Sequence, residues 1–186
     1  MSTCYYKLRR YEVGTDIKDI YRVFSNYAEQ YKLFSVMNTN SYEEFKRSFE
    51  NKLFSNYKDF LIIDVDNCFA GFVASYDYKI IDAHIKGMIY IEPEYRSGFV
   101  GMAGIEFANI LFQYYNIRKI YTEVYAYNQF SIAYHEKIGF TEECRLKEYK
   151  YFDGKFWDVI YYQISRDLFY KKNQPFIKRF LENNKV

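Results

Sequence analysis

The chain has 186 residues, a length that fits one domain with its own hydrophobic core. Its formal net charge is +2 and its Lys and Arg residues form no continuous stripe, so we expect no nucleic-acid partner. No segment approaches the roughly 18 apolar residues of a membrane span, and the start of the chain lacks an apolar signal core. We therefore expect a cytoplasmic protein without membrane association.

Cysteine and histidine usage argues against a metal site. Cys4, Cys68 and Cys144 lie far apart in the sequence, and the two histidines are His84 and His135. Neither a CxxC pair nor a Cys/His cluster occurs, so we expect neither structural zinc nor disulfides. A carboxylate-rich metal site is left open by composition, but no pattern places its ligands together. We predict no metal.

The first half of the chain predicts a short strand, two helices and a hairpin. A strand over residues 7–11 precedes Thr15-Asp16, which can cap a helix with apolar residues at helical spacing. Ser41 and Glu44 form a capping box for a second helix. Two strand-like runs between residues 60 and 76 flank a polar turn, which is typical of an antiparallel hairpin.

The second half predicts an α/β unit that ends in antiparallel pairing. The predicted elements are a strand over 84–91, a helix over 101–115, a strand over 118–125, a helix over 129–138 and a hairpin over 145–164. Pro93 ends the first of these strands because proline restricts the residue before it. Asp153-Gly154 marks the hairpin because both residues tolerate positive φ. Residues 166–186 are charged and compatible with a helix apart from Pro175, and no function is assigned to them.

Residues 89–101 join a predicted strand to a predicted helix through a glycine-containing loop, Ile-Tyr-Ile-Glu-Pro-Glu-Tyr-Arg-Ser-Gly-Phe-Val-Gly. Successive backbone N–H groups in such a loop, together with the helix dipole, can bind a pyrophosphate. Glycine lets the backbone approach the ligand closely. Taken alone, the segment favours an ordinary strand-to-helix turn over an anion site.

A second motif covers residues 128–140, Asn-Gln-Phe-Ser-Ile-Ala-Tyr-His-Glu-Lys-Ile-Gly-Phe. Together the two motifs resemble those of the GNAT superfamily of N-acetyltransferases. The resemblance runs from residue 7 to about residue 168. The segment 146–159 is similar to the branch that contains ribosomal-protein N-terminal, spermidine and phosphinothricin-type acetyltransferases.

The resemblance implies an α/β (α+β) GNAT fold. We expect a mixed central sheet of about seven strands, with helices on both faces and a splayed parallel pair of strands that binds acyl-CoA. Residues 1–168 would form the N-acetyltransferase domain, and residues 169–186 would be a C-terminal helical tail of the same domain. Acetyl-CoA is the implied co-substrate and an amine is the implied acceptor.

The resemblance also assigns the residues that bind coenzyme A. Pyrophosphate would lie on the loop and pantetheine along the strand, with contacts from the second motif. The implied binding residues are Ile89, Tyr90, Ile91, Arg96, Ser97, Gly98, Phe99, Val100, Gly101, Met102, Asn128 and Ser131. The family loop is usually (Gln/Arg)-x-x-Gly-x-(Gly/Ala), whereas here Phe99 occupies the first glycine position and Gly98 lies one residue early. Affinity for coenzyme A is the property that this departure puts in doubt.

Transfer needs a base for the amine and an acid for the leaving thiolate. Asp82, His84 and Glu123 are the candidate bases, although a strand histidine such as His84 more often has only a structural role. Counting from Asn128 places His135 at the family's tyrosine position, with Tyr134 directly before it. Imidazole suits proton transfer at neutral pH, while a phenol suits donation only. His135 is equally compatible with simple packing against the cofactor.

The acceptor is not identified by the sequence. Five aromatic residues could line an acceptor cleft, and each is equally typical of the core: Tyr21, Phe24, Tyr31, Phe34 and Trp157. Two alternatives stay open. The donor could be a longer acyl-CoA or an acyl-carrier protein, or the chain could be a catalytically silent GNAT-like domain that binds a ligand. A homodimer is compatible with the sequence.

Overall fold

The computed structural model describes residues 6–26, 41–96 and 99–183, apart from the side chains of 54 and 179–183. The strands are β1 (Tyr6–Arg10), β2 (Tyr57–Val65), β3 (Cys68–Lys79), β4 (His84–Ile91), β5 (Lys119–Tyr125), β6 (Thr141–Phe152) and β7 (Lys155–Ser165). The helices are α1 (Ile17–Ser25), α2 (Tyr42–Asn56), α3 (Met102–Tyr114), α4 (Gln129–Ile138) and α5 (Arg166–Asn183). Two short 3-10 turns, Pro93–Tyr95 and Phe99–Gly101, connect β4 to α3.

All seven strands form one mixed sheet in the order β1-β2-β3-β4-β5-β7-β6. Five of the neighbouring pairs are antiparallel, and β4 and β5 form the parallel pair. A parallel pair needs a crossover connection, which α3 provides. This arrangement confirms the predicted mixed sheet of about seven strands.

The parallel pair separates along its length. The ladder joins His84, Ile85 and Lys86 of β4 to Lys119, Ile120 and Tyr121 of β5, and it ends there. Beyond it, β4 remains paired with β3 as far as Ile91, and β5 remains paired with β7 as far as Tyr125. The two strands are therefore each held on their outer side while the space between them is open, as the splayed pair predicted.

Helices cover both faces of the sheet because neighbouring strand residues point in opposite directions. Ile62 and Phe72 pack with α1 and α2 in one core cluster. Ile63 and Val73 pack with α3, α4 and α5 in the other. The predicted placement of helices on both faces is confirmed.

Local signals set most element ends. The Oγ of Ser41 accepts a hydrogen bond from the N–H of Glu44 at 3.2 Å, as the capping box predicts. Asp16 occupies the N-cap position of α1, but its side chain makes no cap bond there. Its carboxylate instead accepts from Arg9 and from the N–H of Glu12, each at 2.7 Å. The predicted capping role of Asp16 is wrong because a tertiary ion pair takes its oxygens.

The last helix extends through Pro175 rather than stopping at it. Phe169 and Ile177 bury themselves in the core cluster of α3 and α4. The side chain of Asn173 donates to the carbonyl of Ile138 at 3.0 Å, which ties α5 to the end of α4. Among the described helices, none is long and apolar enough to cross a membrane.

Candidate active site

A cleft of about 110 Å³ lies between the separated ends of β4 and β5. Residues from β4, the loop after it, β5 and the start of α4 line the cleft. They are Tyr76, Gly87, Met88, Ile89, Tyr90, Ile91, Arg96, Thr122, Glu123, Asn128, Phe130, Ser131, Tyr134 and His135. The structure thus brings together most of the residues that the two sequence motifs assign to one site.

The loop after β4 is fixed by packing and by one arginine. The Nε of Arg96 donates to the carbonyl of Ile91 at 3.0 Å, and its guanidinium lies 5.9 Å from the ring centre of Phe130 on α4. The Phe99 ring stacks on Tyr6 of β1, with ring centres 6.0 Å apart. Phe99 therefore faces the core side of the loop and does not line the cleft. Val100 is buried, and the predicted Ser97 and Gly98 lie outside the described residues.

The Tyr134 side chain packs between α4 and the start of α3. Its hydroxyl donates to the carbonyl of Gly101 at 2.7 Å. A Cβ at Gly104 would collide with this hydroxyl, and one at Gly101 would lie 3.2 Å from the ring. Glycine at both positions lets the phenol sit against the helix backbone. Burial raises the pKa of Tyr134, so its hydroxyl keeps its proton at neutral pH.

His135 is 5% exposed and stacks on Tyr162 with ring centres 5.8 Å apart. Its Nδ1 lies 2.7 Å from the carbonyl oxygen of Ser131, so Nδ1 carries the proton and Nε2 is the acceptor. Burial lowers the pKa of His135 to about 4, against a smaller opposing effect of the Ser131 carbonyl. An imidazole in this state holds no second proton at neutral pH, which does not support the predicted role of His135 as an acid.

Asn128 and Ser131 organise the first turn of α4. The Oδ1 of Asn128 accepts from the N–H of Ser131 at 3.2 Å, and the Ser131 Oγ lies 3.3 Å from Nδ1 of His135. Asn128 is therefore a helix N-cap as well as a residue of the cleft wall. Gly139 ends the helix with φ of 101°, in the left-handed conformation that suits glycine.

Glu123 is the buried carboxylate of the cleft. Its side chain is 6% exposed and accepts a hydrogen bond from Nζ of Lys86 at 2.7 Å. The Tyr76 hydroxyl lies 3.4 Å from its second oxygen. Lys86 in turn lies 3.7 Å from Asp77. This pairing offsets the cost of burying the carboxylate.

His84 and Asp82 lie at the other end of the parallel pair. His84 is in the paired half of β4 and packs edge-on against Tyr121, with ring centres 5.3 Å apart. Asp82 lies in the turn before β4, where its carbonyl accepts from Arg118. Within the described part of the chain, neither lines the cleft. Of the three predicted bases, only Glu123 is in reach of it.

A second cavity of about 410 Å³ opens beside the cleft on the α2 side. Tyr76, Met88 and Glu123 line both spaces. Of the predicted acceptor-site aromatics, Phe24 is buried in the core, Tyr21 packs on Tyr42, and Trp157 donates to the carbonyl of Phe152. These positions fit the prediction that the three aromatic residues are structural, rather than the prediction that they line an acceptor cleft. Tyr31 and Phe34 lie outside the described residues.

Five residues of the cleft wall are not among the site residues that the sequence predicted: Tyr76, Gly87, Met88, Thr122 and Phe130. Lys86, which donates to Glu123, was also missed. Lys86 and Thr122 belong to strands that the sequence predicted, and the register of the parallel pair puts them on opposite faces of the sheet: Lys86 beside Tyr121, and Thr122 on the side of Ile120. Alternation along β4 and β5 could have placed them on a face of the sheet. Only the point at which the strands separate shows which of those positions border the cleft.

Comparisons with known proteins agree on one family. The model of the acetyltransferase (GNAT) domain matches residues 7–141. The SPbeta prophage-derived uncharacterized N-acetyltransferase YokL of Bacillus subtilis (strain 168) is 26% identical over 111 residues, which cover 59% of this chain and 63% of that protein. The matched part therefore spans less than two thirds of this curated relative.

Solved structures give the same fold. A spermidine N-acetyltransferase from Vibrio cholerae, in complex with CoA and spermine, superposes with a TM-score of 0.78 at 23% identity, covering 88% of this chain and 97% of that one. A dodecameric structure of spermidine N-acetyltransferase from the same organism has a TM-score of 0.75 at 22% identity, covering 91% and 97%. The predicted GNAT resemblance and fold class are confirmed.

Proposed function

This chain belongs to the acetyltransferase (GNAT) domain family, and from that premise we propose that it transfers the acetyl group of acetyl-CoA to a primary amine. The observation that carries the proposal is the open cleft between β4 and β5, which has a buried carboxylate, Glu123, in its wall. The predicted enzyme class, N-acetyltransferase with acetyl-CoA as co-substrate, agrees with the family. The identity of the acceptor and the roles of individual residues are proposals.

We assign the donor to the side of the cleft formed by the loop and α3. Backbone N–H groups at the start of α3, from Val100 to Met102, would hold the pyrophosphate, with Ser97, Gly98 and the backbone of Phe99 completing the loop. Pantetheine would run along Ile89–Ile91, whose edge toward β5 pairs with no strand among residues 6–26, 41–96 and 99–183. Arg96 would keep the loop in position through its bond to the Ile91 carbonyl. Asn128 and Ser131 would form the opposite wall.

We assign the acceptor amine to the larger cavity on the α2 side. Glu123 lies where this cavity meets the cleft, so its carboxylate is placed to take a proton from the arriving ammonium. Asp77 adds a second carboxylate to the cavity wall. Lys79 and Lys86 pair with these carboxylates and Lys52 also lines the cavity, so the support for a cationic acceptor comes from spermine in the related structure. We propose a small amine with at least one positive charge.

The leaving thiolate needs a proton or a hydrogen bond. Tyr134 lines the cleft and keeps its hydroxyl proton at neutral pH, so we propose it as the donor. To act, its hydroxyl must leave the carbonyl of Gly101. His135, with its lone pair on Nε2, instead fits the role of a wall residue and hydrogen-bond acceptor.

Several predictions remain proposals. We propose that residues 169–186 belong to the same domain as residues 1–168, since Phe169 and Ile177 pack in its core. Self-association, at least to a homodimer, and a cytoplasmic location also remain proposals. The dodecameric relative supports testing the first by light scattering.

Thermal unfolding with and without acetyl-CoA tests the proposed function. A ligand that binds only the folded state, at 100 times its Kd, stabilises by about 2.7 kcal/mol. For a chain of this size we expect the midpoint to rise by about 5–10 °C. Amines with one to four charges are then screened for release of free thiol. Absence of any shift with acetyl-CoA or CoA would contradict the proposal and favour the silent domain.

A further inference from the structure

The fork of the parallel pair is where β4 and β5 stop pairing, at Gly87 on β4 and Thr122 on β5. A second, smaller chamber of about 40 Å³ lies directly behind it. Apolar side chains of β3, β5, α3 and the end of α4 form most of its wall, including Val73, Ile120, Phe107, Ala108, Leu111 and Ile138. The chamber is distinct from the acceptor cavity, which lies on the α2 side of the sheet.

The chamber opens into the cleft. Six residues line both spaces: Gly87, Met88, Ile89, Thr122, Tyr134 and His135. In the proposed function, coenzyme A bound at the loop after β4 would run back along the strand toward Gly87. From Ile91 to Gly87 this path is about 13 Å at 3.3 Å per residue. Whatever the thioester carries is therefore directed at the fork and the chamber behind it.

The size of the chamber exceeds what an acetyl methyl group needs. One water molecule needs about 10–15 Å³, so 40 Å³ has room for about three water-sized groups. Its apolar wall suits carbon rather than water. Gly87 widens the entrance, since a Cβ there would lie 3.5 Å from the Ile120 side chain and would take up part of the opening.

Three residues with polar side-chain groups line this entrance: Thr122, Tyr134 and His135. Thr122 is 6% exposed, and its Oγ1 is buried without a hydrogen-bond partner among residues 6–26, 41–96 and 99–183. A buried hydroxyl without a partner destabilises the free protein unless a ligand satisfies it. A largely apolar chamber with the Thr122 hydroxyl at its mouth suits a short carbon chain joined to a carbonyl group.

We propose that the chamber behind the fork binds the acyl group of the donor, that it accepts chains of three or four carbons as well as acetyl, and that Thr122 donates a hydrogen bond to the thioester carbonyl. The inference rests on the proposed function, because it takes acyl-CoA as the donor. It extends that function to propionyl-CoA and butyryl-CoA.

Calorimetric titration of the whole chain with CoA, acetyl-CoA, propionyl-CoA and butyryl-CoA tests the proposal without knowledge of the acceptor. Each buried methylene is expected to tighten binding by up to about fourfold, so propionyl-CoA should bind more tightly than acetyl-CoA. Gly87→Ala and Ala108→Val fill the chamber from opposite walls and should abolish or reverse this preference. Ala133→Val makes the same change at an exposed position of α4 and should keep it.

Thr122→Val tests the hydroxyl separately. Removal of one hydrogen bond should weaken acyl-CoA binding by about threefold to tenfold while the Kd of CoA stays unchanged. A purely structural role would move both Kd values together. The unfolding midpoint of the free variant should not fall, since the replaced hydroxyl has no partner within the described part of the chain.

The outcomes separate the two proposals. Binding of CoA with no gain from acetyl to propionyl, or a gain that both filling variants retain, would overturn the acyl chamber and leave the proposed function standing. Absence of binding by all four compounds would overturn the proposed function and this inference with it. A gain that is lost in either folded filling variant and kept in Ala133→Val supports the chamber.

Discussion

The two halves of the β4–β5 pair are built from the same strands and differ in what lies between them. In the paired half, His84 to Lys86 meet Lys119 to Tyr121 and the backbone groups satisfy one another. In the separated half, Gly87–Ile91 of β4 and Thr122 and Glu123 of β5 face a cleft. Ionisable side chains therefore have different roles in the two halves: His84 packs on a ring, whereas Glu123 faces the cleft.

The largest expected effect tests this difference between the halves. Glu123→Gln keeps the shape of the side chain and removes the base, so kcat/KM should fall about 100-fold or more. His84→Gln, in the paired half, should change kcat/KM by less than about threefold. Steady-state kinetics with an acceptor from the amine screen measures both.

Lys86→Met separates catalysis from charge pairing at Glu123. Glu123→Gln takes away the carboxylate that pairs with Lys86. If the loss of activity came only from this broken ion pair, the double variant Glu123→Gln/Lys86→Met would recover activity. Turnover near that of the wild type in Glu123→Gln alone would place the base elsewhere and remove the proposed difference between the halves.

The second expected effect is a loss of stability at acid pH, caused by His135 in the wall of the cleft. His135 has a pKa of about 4 in the folded chain against 6.5 in the unfolded chain. As pH falls below 6.5 the unfolded chain takes up the proton first, so stability present above pH 6.5 is lost as pH falls toward 4. The loss should reach about 3 kcal/mol. Urea unfolding between pH 7 and 4.5 measures the slope.

His135→Gln is the matched control for this slope, because an amide does not titrate. The variant should lack the part of the pH dependence that His135 supplies, whatever its stability at pH 7. An equal slope in both proteins would mean that other groups account for the acid sensitivity and that His135 is not held neutral.

The smallest expected effect compares two glycines that line the chamber behind the fork, Gly87 on β4 and Gly104 on α3. A Cβ at Gly104 would collide with the Tyr134 hydroxyl, so Gly104→Ala should cost about 1–3 kcal/mol of unfolding free energy. Gly87→Ala meets only an ordinary contact of 3.5 Å and should cost less. Denaturant midpoints rank the two. The reverse ranking would show that the Tyr134 side chain can move away from a Cβ at position 104.

The sequence by itself determined most of the elements and the family. Helix α4 and its glycine end, the Ser41 cap and the Asp153-Gly154 turn follow from local propensity, because each depends on contacts within a few residues. The two motifs were enough for the fold class and the acyl-CoA donor. Asp16 is the exception among the caps, because its partner Arg9 comes from another element.

Tertiary structure decided which of the predicted residues share a site. The end of the β4–β5 ladder separates Glu123 from His84, although both are on strands of the parallel pair. Packing of Phe99 on Tyr6 keeps its ring out of the cleft, and burial among Tyr134, Phe140 and Tyr162 makes His135 a neutral imidazole. Strand spacing and desolvation depend on residues distant in sequence, which is why local patterns could not supply them.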